Sequence, residues 1–139
     1  MSALSKFFMS IPIFLYQRTN GRIGGSMGRF KVLILTTRGR KSGKMHVTPV
    51  GYFERDGGYL VVASNAGRAS NPAWYYNIQG NPNDVEIQVM DKKMKVTPQI
   101  ILGAPRRPLY DWIVSQAPNF GDYEKKGTRE IPLVLLKPR

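Results

Sequence analysis

The chain has 139 residues with no cysteine and one histidine, and its twenty-one Lys and Arg outweigh nine Asp and Glu to give a formal net charge of +12. The length suits one domain with a single core. The absence of cysteine excludes disulfides, thiolate metal sites and cysteine nucleophiles and suits a reducing cytoplasm; the lone His46 is too little for a zinc cluster or a Ser/His/Asp triad.

Charge is unevenly placed. Nine of the cations and none of the acids lie in residues 1–53, which implies an anionic partner: nucleic acid, an anionic lipid surface or a small polyanionic ligand. Residues 3–16 are rich in large apolar groups but fall short of the ~20 needed to span a bilayer, and no small-residue cleavage site follows. Neither a transmembrane helix nor a signal peptide is expected. Ser10 and Pro12 predict a break near Ser10. The segment reads first as a helix packed on the body or on a second subunit, as in a homodimer. Its other reading is a peripheral membrane contact through residues 1–22, with Lys6, Arg18 and Arg22 near lipid phosphates. The four glycines of 21–29 read as a flexible connector that lets this segment move. The chain thus divides into an N-terminal helix and Gly-rich linker, 1–29, and a main domain, 30–139.

Lys31 to Leu35 and Val47 to Phe53 read as strands, joined by the cationic turn Thr36-Thr37-Arg38-Gly39-Arg40-Lys41-Ser42-Gly43-Lys44. Two glycines permit close backbone approach, and four long cations within seven residues repel one another unless an anion or solvent separates them. The turn is either a cradle for phosphate or carboxylate, or a solvated hairpin tip. A Walker A loop fits poorly: Gly39 to Gly43 is one residue short, Met45 stands where Ser or Thr should be, and no helix follows.

Asp56-Gly57 marks a hairpin into the strand Tyr59 to Ser64. Apolar residues on consecutive positions suit strands buried on both faces, as in a closed barrel. Asn71 reads as the N-cap of a short helix through Ile78 whose free N-terminus could meet an anion; Trp74, Tyr75 and Tyr76 cannot all face the core. A half-exposed strand is predicted over 85–89, a turn at Asp91 to Lys93, a strand over 94–102, and a helix over 108–116 with Leu109, Trp112 and Ile113 on one face. Residues 117–129 read as a polar loop whose Phe120 and Tyr123 either plug the core or wall a pocket. A last strand runs over 131–136.

Leu35 to Gly43, Thr48-Pro49, Val62-Ala63-Ser64, Asn71-Pro72-Ala73-Trp74-Tyr75-Tyr76-Asn77, Asn81-Pro82 and Arg129-Glu130-Ile131-Pro132-Leu133 together resemble the deazaflavin-dependent nitroreductase family, and within it the F420H2-dependent quinone reductases. The resemblance covers about residues 30–138. It implies a mainly β (α+β) split β-barrel like that of FMN-binding proteins, with an N-terminal helix and short helices packed on it. It also implies the coenzyme F420, whose phospholactyl and γ-glutamyl groups are anionic.

By motif position, Arg40, Lys41, Ser42, Gly43 and Lys44 would hold the phosphate and tail, with His46 beside them where many relatives carry arginine. Thr48 and Pro49 would line the channel. Val62, Ala63, Ser64 and Asn65 would run beside the ring, Asn65 in place of a common lysine, with Trp74 and Asn77 closing that side. Phe120, Tyr123 and Lys126 fall on the substrate side, where relatives carry tyrosines. The implied reaction is hydride transfer from F420H2 to a conjugated acceptor, a quinone, enone or nitro compound, with nitro compounds as fortuitous substrates. No metal is called for. Tyr123 and Ser64 are the candidate catalytic groups, as hydrogen-bond or proton donors. The alternatives are an FMN-binding split-barrel oxidoreductase and a non-enzymatic F420 carrier. Nucleic acid is disfavoured, because the cations cluster at one turn instead of interleaving with aromatics.

Overall fold

The computed structural model describes residues 13–27, 30–127 and 129–139; the break expected near Ser10 lies outside them. In chain order the elements are α1 (Ile13–Arg18), β1 (Ser26–Met27), β2 (Phe30–Arg38), β3 (Met45–Arg55), β4 (Gly58–Val62), a 3-10 turn (Asn65–Gly67), α2 (Ala73–Gly80), β5 (Val85–Val89), β6 (Lys92–Ile101), α3 (Arg106–Gln116), α4 (Asn119–Lys126) and β7 (Leu133–Pro138). All strand pairings are antiparallel and follow the order β1-β2-β3-β4-β7-β6-β5. A further pairing of β5 with β2, Thr37 opposite Val85, closes six strands into a barrel.

The consecutive apolar runs arise because there are two cores. Inside the barrel, Leu33, Leu35, Val61, Val134 and Leu136 meet Tyr75 and Ile78 of α2. Outside it, Leu60, Val62, Leu133 and Leu135 of β4 and β7 meet Tyr110 and Ile113 of α3 and Phe120 and Tyr123 of α4. Side chains alternate across a strand, so a strand covered on both faces is apolar at every position. Asp56 and Gly57, both at positive φ (53° and 75°), make the two-residue turn between β3 and β4, as the Asp-Gly pair predicts. The turn from β5 to β6 falls one residue earlier than expected, at Met90 and Asp91.

Two expectations are corrected. Residues 119–126 are helical, not loop. And the glycines after α1 do not free it. Tyr16, fully buried, donates its hydroxyl to the carbonyls of Val32 (2.8 Å) and Gln88 (3.2 Å) and accepts the Met90 amide (2.9 Å). Gly21 lies so close to Met90 that an added Cβ would stand 2.8 Å from its Cα. The glycine is there for close packing, and α1 is tied to the barrel.

Candidate active site

β4 pairs with β3 only over Phe53 to Arg55. The stretch of β3 before Phe53 therefore has β2 on one side and an open edge on the other. Counting back in twos from Arg55, opposite Gly58, places the missing N–H of Pro49 on that open edge, where no ladder bond is lost. The split opens into a groove of about 620 Å³.

One end of the groove is the cationic turn, which is braced from below. Arg38 donates to Asp84 (3.0 Å) and to the Gly43 carbonyl (2.8 Å), so one of the four cations is held internally. The buried Asn77 accepts the Arg40 amide (3.2 Å) and donates to the Thr37 hydroxyl (3.3 Å), and the Arg40 guanidinium lies 4.6 Å over the Tyr76 ring. Within the turn, Ser42 Oγ accepts the Lys44 amide at 3.2 Å. A Cβ on Gly39 would meet Ser42 Oγ at 2.6 Å and His46 Nε2 at 2.9 Å, so only glycine leaves these groups their places. Arg40, Lys41, Lys44 and His46 are exposed. The N-terminus of α2 has no side-chain cap and borders the groove at Pro72 and Ala73, adding the positive end of a helix dipole.

The other walls are apolar. Trp74 closes one side, edge-on to Tyr75 with centroids 6.4 Å apart. Phe120 and Tyr123 close another, their rings 5.7 Å apart and nearly perpendicular. Of the three aromatics at the start of α2, Tyr75 is buried while Trp74 and Tyr76 are half-buried, as their crowding predicts.

The structure thus gathers most of the sequence-predicted residues onto one surface. Arg40, Lys41, Ser42, His46, Thr48, Pro49, Val62, Ser64, Asn65, Trp74, Asn77, Phe120 and Tyr123 all line the groove. Four do not. Ala63 is fully buried in the barrel core, while Gly43 and Lys44 sit on the outer side of the turn and Lys126 on the surface of α4. The lining also includes Gly39, Val50, Gly51 and Ala66, which have no distinctive chemistry to find in a sequence. Asn71 does not cap α2. Its side-chain oxygen instead accepts Arg129 Nη1 at 2.6 Å.

The family model described as F420H(2)-dependent quinone reductase matches residues 10–138. The chain belongs to the F420H(2)-dependent quinone reductase family. A family relative of that name from Mycobacterium tuberculosis H37Rv is 36% identical over 131 residues, 90% of this chain and 86% of that one. The solved structure of an F420-H2 dependent reductase superposes with a TM-score of 0.67 at 33% identity, covering 76% of this chain and 93% of the other. A second solved structure, described only as a domain-swapped dimer, superposes with a TM-score of 0.71 at 29% identity, covering 98% of this chain and 100% of the other. The family is one of oxidoreductases that use F420, so the FMN alternative is not favoured. The residues present fit such a coenzyme: the groove is of ligand size, has solvent-facing cations and an uncapped helix N-terminus for anionic groups, and apolar walls for a flat ring. Among the described residues no cluster of three His, Asp or Glu could hold a metal, and no helix is long and apolar enough to cross a membrane.

Proposed function

We propose that this chain reduces quinones with F420H2, and that the groove is the site where coenzyme and acceptor meet. The observation that supports it is the joining of the cationic turn to the Trp74 and Phe120–Tyr123 walls in one continuous groove. Arg40, Lys41, Ser42 and His46 hold the anionic groups, with Gly43 shaping the turn and Lys44 adding charge from its outer side. Thr48, Pro49, Val62, Ser64, Asn65, Trp74 and Asn77 orient the ring, with Ala63 supporting it from the core. When bound, the reduced deazaflavin supplies a hydride, which the quinone takes with one proton to become the hydroquinone.

The chain's own part is to bind, orient, exclude water and supply a proton. The hydroxyl of Tyr123 donates to the acceptor oxygen that gains negative charge, and Ser64 fixes the ring or the acceptor. Phe120 packs on the acceptor's flat face and Lys126 flanks its entry. Residues 30–139 are the coenzyme-binding unit and 1–29 its appended segment. Titration with F420 and, in parallel, FMN tests the reading: tighter binding of F420, with oxidation of F420H2 by a quinone, is the expected result. Tighter binding of FMN, or of neither, would remove it.

A membrane quinone is the acceptor that α1 favours. Phe14, 64% exposed, and Arg18 share the helix face opposite the buried Tyr16. Flotation of the full chain with anionic vesicles, and its loss in Phe14→Ser, is the expected outcome; a protein that stays at the bottom of the gradient would exclude this contact.

A further inference from the structure

Ser64, Asn65 and Ala66 line the groove, and the turn they open is a strained one. Asn65, Ala66 and Gly67 have successive φ values of +48°, +56° and +80°. Residues with a Cβ avoid this left-handed region, and Ala66 has no polar side chain with which to offset it. Such a run persists only where its surroundings enforce it.

Asn65 Nδ2 donates to the Ser70 carbonyl (3.0 Å) within the loop, and from outside it the side chain that meets both ends is Arg129. Its guanidinium brackets the turn, donating through Nη2 to the carbonyls of Ala63 (3.1 Å) and Ser64 (2.9 Å) before it. After the turn, Nε donates to the Arg68 carbonyl (3.0 Å) and Nη1 to Asn71 Oδ1 (2.6 Å). All four acceptors are neutral oxygens, and none of the ion pairs among the described residues involves Arg129. A partly buried cation with no counter-ion is an expensive way to hold a loop unless the geometry matters. Burial draws the guanidinium's pKa down, against the nearby Tyr76, Tyr110 and Tyr75, which act to raise it. On its other side the turn abuts α4: a Cβ on Gly67 would stand 3.3 Å from the Tyr123 Cα and carbonyl oxygen. A shift of the turn would therefore reach both the ring wall and the backbone that carries Tyr123.

We propose that Arg129 is a positioning residue: it holds the loop 63–71, with its left-handed residues 65–67, in the form that shapes the ring side of the groove. The inference rests on the coenzyme reading of the groove given above. Arg129 keeps the binding-competent form dominant in the free protein, so that coenzyme affinity is not reduced by the fraction of molecules with the loop released.

Arg129→Gln, Arg129→Lys and the double variant Arg129→Gln with Ala66→Gly test this in the full chain. Amide hydrogen exchange over 64–71 is read without ligand, and F420 affinity and steady-state kinetics with it. In Arg129→Gln, exchange over 64–71 rises while β2 stays protected. The F420 Kd rises about tenfold if the ordered loop falls to about a tenth of molecules, and the quinone KM at saturating coenzyme changes less than about twofold. Lysine keeps the charge but cannot reach four acceptors, so Arg129→Lys matches Arg129→Gln. Ala66→Gly removes the strain of the left-handed position, so the double variant recovers most of the lost affinity. Recovery confined to exchange over 64–71, with β2 equally protected in all variants, separates this from a general change of stability.

Unchanged exchange and affinity in Arg129→Gln would overturn the inference. So would a Lys variant that restores affinity while the loop still exchanges fast, since charge and not position would then be the cause. If the Gln variant does not fold, the same comparisons are made with Arg129→Lys, alone and with Ala66→Gly. Failure of the unaltered protein to bind F420 would instead defeat the coenzyme reading, and the exchange data would still decide whether Arg129 holds the loop.

Discussion

Tyr123 is the residue on which the proposed chemistry turns. It comes from α4, lies 8% exposed in the outer core, and reaches the groove beside Phe120. Of that pair only the tyrosine has a proton to give, so the acceptor oxygen has to meet it and not Phe120. Tyr123→Phe keeps the ring and its edge-on packing while removing the hydroxyl. Loss of a positioned proton donor costs about 10² in rate, and kcat should fall by that order while the F420 Kd stays within about twofold of the unaltered protein. A variant with unchanged kcat would shift the proton to Ser64 or to solvent; one that also lost coenzyme affinity would show that the hydroxyl serves the coenzyme instead.

At the scale of elements, α4 is where the sequence was least legible. Residues 117–129 hold glycines at 121 and 127, a proline at 118, and few apolar residues, and so read as loop. What makes the segment helical is tertiary: Phe120 and Tyr123, three apart, share the buried face, and Glu124 accepts hydrogen bonds from Arg106 (2.8 Å) and Arg107 (3.0 Å) of α3. Arg106 is itself buried, donates to the Ile131 carbonyl (2.6 Å) and lies over the Tyr110 ring. None of these partners is near in sequence, so no local pattern announces them. Asn71 misled for the same reason, its oxygen being taken by Arg129. The strands, by contrast, were legible because burial on both faces writes itself as an unbroken apolar run. Burial alone would raise the Glu124 carboxyl, but the bonds from Arg107 and Arg106 outweigh it and hold the pKa below the ordinary 4.5. A carboxyl lowered by folding contributes stability that is full above that ordinary value and is lost as pH falls through the folded one. Thermal unfolding between neutral pH and pH ~3 should therefore show a loss of Tm that Glu124→Gln, already lower at neutral pH, shows less steeply. Parallel curves for the two proteins would take the Arg106–Glu124 contact out of the account of acid stability.

For the whole molecule, the +12 net charge is not a uniform coat but a field with a focus. The acid-free first 53 residues deliver Arg38, Arg40, Lys41 and Lys44 to the turn at one end of the groove, and among the described residues only Arg38 of these is paired with a carboxylate, Asp84. The other three face solvent, where salt of about 0.1 M screens charges beyond ~10 Å but leaves direct contacts partly intact. The quinone carries no charge and should not feel this field. F420 affinity should therefore weaken as salt is raised, by about tenfold between low salt and ~0.5 M if two or three contacts are involved, while the quinone KM at saturating coenzyme stays flat. Lys41→Ala should weaken binding at low salt and flatten the slope, converging on the unaltered protein at high salt, where the lost charge is screened in both. A Lys41→Ala protein with the same affinity and the same slope would return the turn to a solvated hairpin tip. Equal salt sensitivity of coenzyme and quinone would place the effect in the fold and not in the cradle.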